Sequence, residues 1–411
     1  MKLLVYGINF APELTGIGKY TGEMVAWLTA RGHEVRVVTA PPYYPDWAVR
    51  PGYHASRYAK ETWCGATVLR VPLWVPRKAS GAKRLLHLAS FALTSVPALL
   101  AQWRWKPDVV WVTEPPLFCT PAALAFARLR SAKAWLHIQD YEVDAAFDLG
   151  LLKGARLRAF VAAVERGLMR RFDRISTISQ RMIERARSKG TEDARLVFLP
   201  NWADISAIQP LAGCSPYRAE LGIRSDAVVA LYSGNISAKQ GLEMLAEAAL
   251  LLKDHPNLEF VFCTNGAGRA ELVKRCEQLT NVRFLDLQPV DRLGDLLGLA
   301  DIHLLPQRAD AADLVMPSKL TGMLSSGRPV VAGARVDTEL GKVASECGMA
   351  VPPDDAKAFA AAIVSLASQP ERRRELGRLA RAHAEARFDR DAVLAQFESD
   401  LQACVAQRPA R

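Results

Sequence analysis

The chain has 411 residues, half of them apolar and 23% charged, with a formal net charge of +10. That length exceeds what one ordinary core serves and predicts two domains of about 200 residues each; the composition excludes a disordered chain. The basic balance points to a polyanionic partner or to a basic surface kept for solubility, and no zinc spacing, aromatic RNA-reading strand or long basic helix marks a nucleic-acid module.

In chain order, residues 2–8 form a short apolar run, as a strand buried on both faces should. This reads as a first strand, not a secretory signal, because no long apolar region or small-residue cleavage site follows. After a loop over 9–18, Ile17, Tyr20, Thr21, Met24 and Leu28 recur at helical spacing. Arg31-Gly32-His33 stops that helix, and Glu34–Thr39 is the next strand. Residues 85–103 carry no formal charge and are flanked by Arg77, Lys78, Lys83, Arg84, Arg104 and Lys106. Three readings stand for this stretch: a helix pair lying in a membrane interface, a core helix, or a membrane span interrupted by Pro97. Further strands are expected at 109–113, 134–139, 175–178 and 196–200.

Residues 204–218 are loop-like, and the strand–helix alternation then restarts with strands at Val228–Ser233, 258–264, 282–287, 301–305 and 329–332. Two such series imply two Rossmann-like, doubly wound α/β domains facing across a cleft. The expected division is 1–205, 206–385, and a helical tail over 386–411 that returns to the first domain. The seven scattered cysteines contain no C-x-x-C pair and read as reduced thiols of a cytoplasmic protein.

Four segments carry candidate chemistry. Gly16-Ile17-Gly18 follows the first strand and opens a helix, where glycines admit a ligand and the helix N-terminus favours negative charge. The alternative is a tight turn without a ligand. Residues 232–241 place Gly234, Asn235, Lys239 and Gln240 in a strand-to-helix turn suited to a diphosphate; it is not a Walker loop. His137 and Asp140 sit at the carboxyl end of a strand, where open α/β sheets bind ligands. His137 is expected there to hydrogen-bond a substrate hydroxyl and Asp140 to accept a proton, the alternative being a structural histidine. Pro317, Ser318 and Lys319 open a short helix, where a cation and backbone N–H groups converge. No D-x-D pair lies at the candidate diphosphate loops, so no metal or other cofactor is expected.

Taken in order, these segments resemble the GT-B glycosyltransferases of family 4 over nearly the whole chain. The residues that carry the resemblance are Gly16–Gly18 with Arg31-Gly32-His33-Glu34-Val35, Ser176-Thr177-Ile178-Ser179, Leu199-Pro200-Asn201-Trp202-Ala203-Asp204, Ala300–Pro306, and Ser326-Gly327-Arg328-Pro329-Val330-Val331. Within the family the likeness runs to colanic-acid-type exopolysaccharide enzymes of the fucosyltransferase kind. The resemblance implies a retaining transfer of sugar from a GDP- or UDP-linked donor to an undecaprenyl-diphosphate saccharide. It also implies work on the cytoplasmic face of the inner membrane, as a peripheral protein on an anionic surface. The sequence departs from the family's Glu-x7-Glu pair: Gly322 and Leu314 stand in those places. Asn235 and Gln240 replace the usual Arg and Lys of the phosphate loop, which leaves Lys239 and Lys319 as the cations. A sugar-nucleotide epimerase or hydrolase, a nicotinamide-dependent oxidoreductase lacking G-x-G-x-x-G, and an inactive binding subunit are the competing functions. An epimerase has no need of a lipid-seeking segment at 85–103.

Overall fold

The computed structural model describes all residues except 15, 78–80, 149–153, 235–240, 267, 310–316 and 408–411. The chain forms two compact units, Met1–Pro200 with Leu394–Arg411, and Asn201–Val393.

The first unit is built on an eight-stranded sheet. Its strands are β1 (Lys2–Tyr6), β2 (Glu34–Thr39), β3 (Ala59–Trp63), β4 (Ala66–Arg70), β5 (Val109–Glu114), β6 (Lys133–Ile138), β7 (Arg174–Thr177) and β8 (Leu196–Phe198). Their order is β3-β4-β2-β1-β5-β6-β7-β8, parallel except for the edge hairpin β3–β4. That hairpin turns at Cys64 and Gly65, both with positive φ, as a two-residue turn matching the strand twist requires. Central strands read as continuous apolar runs because helices cover both faces. Leu4, Tyr6, Val112, Leu136 and Ile175 share one core with Leu88, Phe91 and Phe126. On the other face, Trp111 and Trp135 meet Phe397 of the helix Arg390–Ala406 at ring distances of 4.8 and 5.5 Å.

The second unit has six parallel strands: β9 (Val228–Ser233), β10 (Leu258–Cys263), β11 (Val282–Leu285), β12 (Ile302–Leu305), β13 (Val330–Gly333) and β14 (Gly348–Val351). They run β11-β10-β9-β12-β13-β14. The division of the chain falls at Pro200 rather than at 205, because residues 201–205 pack into the second unit. Ala203 and Ile205 lie in a core with Leu324 and Ala380, and the Ala203 N–H donates to the Phe388 carbonyl at 2.8 Å. The tail likewise starts its return at Leu394, not 386. The long helix Pro370–Arg387 stays with the second unit, where Leu376, Ala380 and Ala384 are buried.

The stretch 85–103 is one helix, Gly81–Leu100, rather than a helix pair, with Pro97 in its last turn. Three of its uncharged polar residues make contacts on the inner side. The Thr94 hydroxyl donates to the Pro72 carbonyl at 2.6 Å, Ser95 bonds the Tyr6 hydroxyl at 2.5 Å, and His87 Nδ1 lies 2.7 Å from the Trp74 carbonyl. With these groups turned to the buried side, the outer side is left to Leu86, Leu93 and Leu100, 61%, 74% and 53% exposed. Among the described residues no helix is long and apolar enough to cross a membrane.

Candidate functional site

At the carboxyl edge of the first sheet, the loop after β1 is held by a buried acid that the sequence reading passed over. Glu13 is 2% exposed. Its carboxylate accepts the N–H groups of Tyr43 and Tyr44 at 3.1 and 3.0 Å and the Asn9 amide at 2.9 Å. Burial pushes its pKa up, against those hydrogen bonds. Gly18 is required by this packing: a Cβ there would collide with the Glu13 carboxylate and lie 3.1 Å from the Phe10 carbonyl oxygen. The space expected for a phosphate at Gly18 is therefore filled by an acid, which disfavours an anion at that position. Gly16 begins the helix Gly16–Ala30 with φ 61° and lies under the Tyr44 ring, and Ile17 is half-buried beside it. Tyr44 keeps 39% of its surface exposed. Burial, then the charge of Asp140, raises its hydroxyl pKa.

His137 does not reach outward as expected. It lies on β6 in register with Thr113 of β5 and Ser176 of β7, on the same face of the pleat as Trp135. The Gln139 amide donates to its Nε2 at 2.9 Å, which leaves Nδ1 to donate to the Ser176 hydroxyl, also at 2.9 Å. The ring stacks on Trp111 at 4.9 Å, and burial pulls its pKa down to about 3. Both nitrogens are thus engaged inside the unit, and the neutral ring positions Gln139 and the strand ends instead of meeting a ligand. Asp140, just past the strand, retains part of its surface.

Behind this edge lies a buried acidic group, also unforeseen. Glu114 ends β5, is fully buried, and neither carboxylate oxygen has a hydrogen-bond partner among the described residues. Burial, then Glu165 and Glu142, pushes its pKa well above the usual carboxylate range. Nearby, Lys189 pairs with Asp144 at 3.1 Å and with Glu165, and Arg185 pairs with Asp144 at 2.9 Å. These pairs pin the helix Glu142–Asp148. An acid that closes a mostly apolar strand, as Glu114 closes β5, is the signal that a sequence offers for such a cluster.

In the second unit, Lys319 and Gly234 come together at the carboxyl edge of the sheet. Gly234 ends β9 with φ 124°, and a Cβ on it would fall 3.0 Å from Lys319 Nζ. The ammonium donates to the Tyr232 hydroxyl at 2.6 Å and stands 4.4 Å from that ring's centre. Burial pulls its pKa down to about 7. The turn is fixed by the Gly234 N–H, which donates to the Cys263 carbonyl, and by Thr264, whose hydroxyl donates to the Gly234 carbonyl at 2.8 Å. Pro317 and Ser318 lead into the helix Lys319–Ser325; the Pro317 carbonyl accepts the Leu320 N–H at 3.0 Å and Ser318 is exposed. Gly241, with φ 59°, starts the helix Leu242–Leu251. Asn235, Lys239 and Gln240 lie outside the described residues. Among the described residues no cluster of His, Cys, Asp and Glu has the makings of a metal site.

Comparison with known proteins places these features in context. A family model described as a glycosyl transferase 4-like domain matches residues 15–202, and one described as glycosyl transferases group 1 matches 227–369. The protein named as the colanic acid biosynthesis glycosyl transferase WcaI of Escherichia coli (strain K12) is 45% identical over 98% of this chain and 100% of its own length. Among solved structures, sucrose-phosphate synthase from Thermosynechococcus elongatus superposes with TM-score 0.76 at 16% identity, covering 99% of this chain and 100% of that one. Anabaena HepE, solved in complex with UDP and glucose, superposes with TM-score 0.70 at 15% identity, covering 98% and 100%. Those two likenesses are of fold.

Proposed function

Because the chain belongs to the GT-B glycosyltransferases with 4-like and group 1 domains, we propose that it moves a sugar, with retention, from a nucleoside-diphosphate sugar to a lipid-linked saccharide in colanic-acid-type exopolysaccharide assembly. The observation that carries this reading is Lys319 drawn against the left-handed Gly234 at the end of β9. A partly buried ammonium beside a glycine turn suits the oxygens of a diphosphate, and burial strengthens its attraction to them. The name of the E. coli relative supports the polysaccharide, and the UDP complex of HepE supports the donor class. In a retaining transfer the leaving diphosphate departs from the face that the acceptor hydroxyl attacks, so the diphosphate itself takes the acceptor's proton. Asp140 orients the acceptor. No metal ion is required, so turnover is expected to persist in EDTA. A thermal-shift series with UDP, GDP, ADP and CDP tests the donor: one or two of them should stabilise the chain by about 2.7 kcal/mol at 100 times Kd. Equal, negligible shifts for all four would defeat the proposal.

The same reading puts the protein on the cytoplasmic face of the inner membrane. Leu86, Leu93, Leu100 and Trp103 are exposed on one side of the helix and the turn after it. Exposed Arg77, Lys83, Arg84, Arg104 and Lys106 flank them, each worth about 1 kcal/mol near an anionic surface. Serine at Leu86, Leu93 and Leu100 together is expected to weaken partition onto phosphatidylglycerol vesicles at low salt at least about tenfold, since each loses an apolar anchor. The buried face is untouched, so the melting temperature should hold. Undiminished vesicle binding by the triple variant would remove this surface from the proposal.

A further inference from the structure

The structure assigns a second anion site to the back of the second unit, a cavity of about 550 Å³ lined by Arg328, Arg373, Arg374, Arg378 and Arg381, which fits a compact, multiply charged phosphate compound. It lies at the opposite edge of the sheet from Gly234: Asp301 and Pro329 in its wall stand just before β12 and β13, whereas Gly234 follows β9, and the sheet is parallel.

Packing brings the five guanidiniums together. Gly377 of the helix Pro370–Arg387 lies so close to the Gly327 carbonyl that any side chain would collide with it, and Gly327 itself turns at φ 68°. Backbone carbonyls then aim three of the arginines. Arg373 donates to Leu366 and Ala367 at 2.5 and 2.6 Å, Arg381 donates to Ser325 at 2.8 Å, and Arg328 donates to Gly298 at 3.4 Å. Carbonyls orient these groups without neutralising them.

Among the described residues two carboxylates line the cavity, and both are already paired: Asp301 with Arg218 at 2.7 Å and Glu385 with Arg381 at 2.6 Å. Arg374 pairs outward with Glu371, and exposed Arg378 has no partner among the described residues. The positive surplus is felt inside: burial, then Arg328 and Arg374, pulls the Arg373 pKa below its usual value, against the pull of Asp301. The first turn of the 18-residue helix Pro370–Arg387 adds its N-terminal dipole at the cavity wall. Arginine forks match phosphate oxygens in pairs, and the volume is that of a small-molecule pocket rather than a flat lipid-facing patch.

The probe is inorganic pyrophosphate, titrated calorimetrically into the full chain. Wild type is expected to bind it saturably, and Arg374→Gln/Arg378→Gln to lose at least about tenfold in affinity. Both side chains are exposed, so the fold should be unaffected. Lys319→Ala should retain the binding, which separates this site from the proposed donor site. Loss in Lys319→Ala with retention in the double variant would assign the anion to the donor edge and overturn the inference. So would an absence of pyrophosphate binding alongside phosphatidylglycerol-vesicle binding that the double variant abolishes, since the arginines would then serve lipid headgroups.

Discussion

Lys319→Ala is expected to raise the Kd for the nucleoside diphosphate about 100-fold and to lower turnover by about 10²–10³, the range for removing one preorganised charge or donor at a reacting group. The side chain is the described cation at the end of β9, and its ammonium already faces the Gly234 turn. Its pKa of about 7 adds a second signature. A diphosphate beside it favours the charged form and raises that value. Nucleotide binding should therefore take up as much as one proton in the interval between about 7 and the raised value, and affinity should fall as pH climbs through that interval. Calorimetry in two buffers of different ionisation heat reads this directly. Proton-neutral binding at pH 8, or an unchanged Kd in Lys319→Ala, would place the diphosphate elsewhere.

His137→Ala is expected to be a stability variant. The ring fills space against Trp111 and joins Ser176 to Gln139. Its removal leaves a cavity and uncouples a buried hydroxyl and amide, together costing about 2–4 kcal/mol. The melting temperature should drop, with turnover per folded molecule reduced only as far as Gln139 shifts. Asp140→Asn should do the reverse: little change in melting temperature and about 10²-fold lower turnover, the scale of losing a group that orients the acceptor. A His137→Ala protein with wild-type melting and a turnover loss above 10³ would return the imidazole to direct contact with the sugar.

These cases show what was legible in the chain. Strands buried on both faces announce themselves as apolar runs, and Val228–Ser233 lies where the pattern places it. The hairpin β3–β4 was missed because Ala59–Trp63 is an edge strand with mostly polar, exposed residues. His137 was read by its position at a strand end. The pleat held a better clue: it shares parity with Trp135, and so faces the same covered side. The helix Gly81–Leu100 misled in the opposite way, since its Ser, Thr and His looked like interruptions but are the residues turned inward. Glu13 was invisible because a lone acid in a loop has no periodicity, and only the contact with Gly18 explains both residues. Lys319 was read correctly as lying at a helix start, while its meeting with Gly234 depends on two segments far apart in the chain.

The division of the chain bears on how the protein comes to be made. The second unit is one continuous segment, Asn201–Val393, placed inside a first unit that resumes at Leu394. A ribosome thus delivers β1 to β8, then the whole of the second unit, and only then the helix Arg390–Ala406 whose Phe397 covers Trp111 and Trp135. At about 5–20 residues per second the wait is roughly 10–40 s. Through that interval the nascent sheet keeps a bare aromatic face, and the domain begun first is finished last.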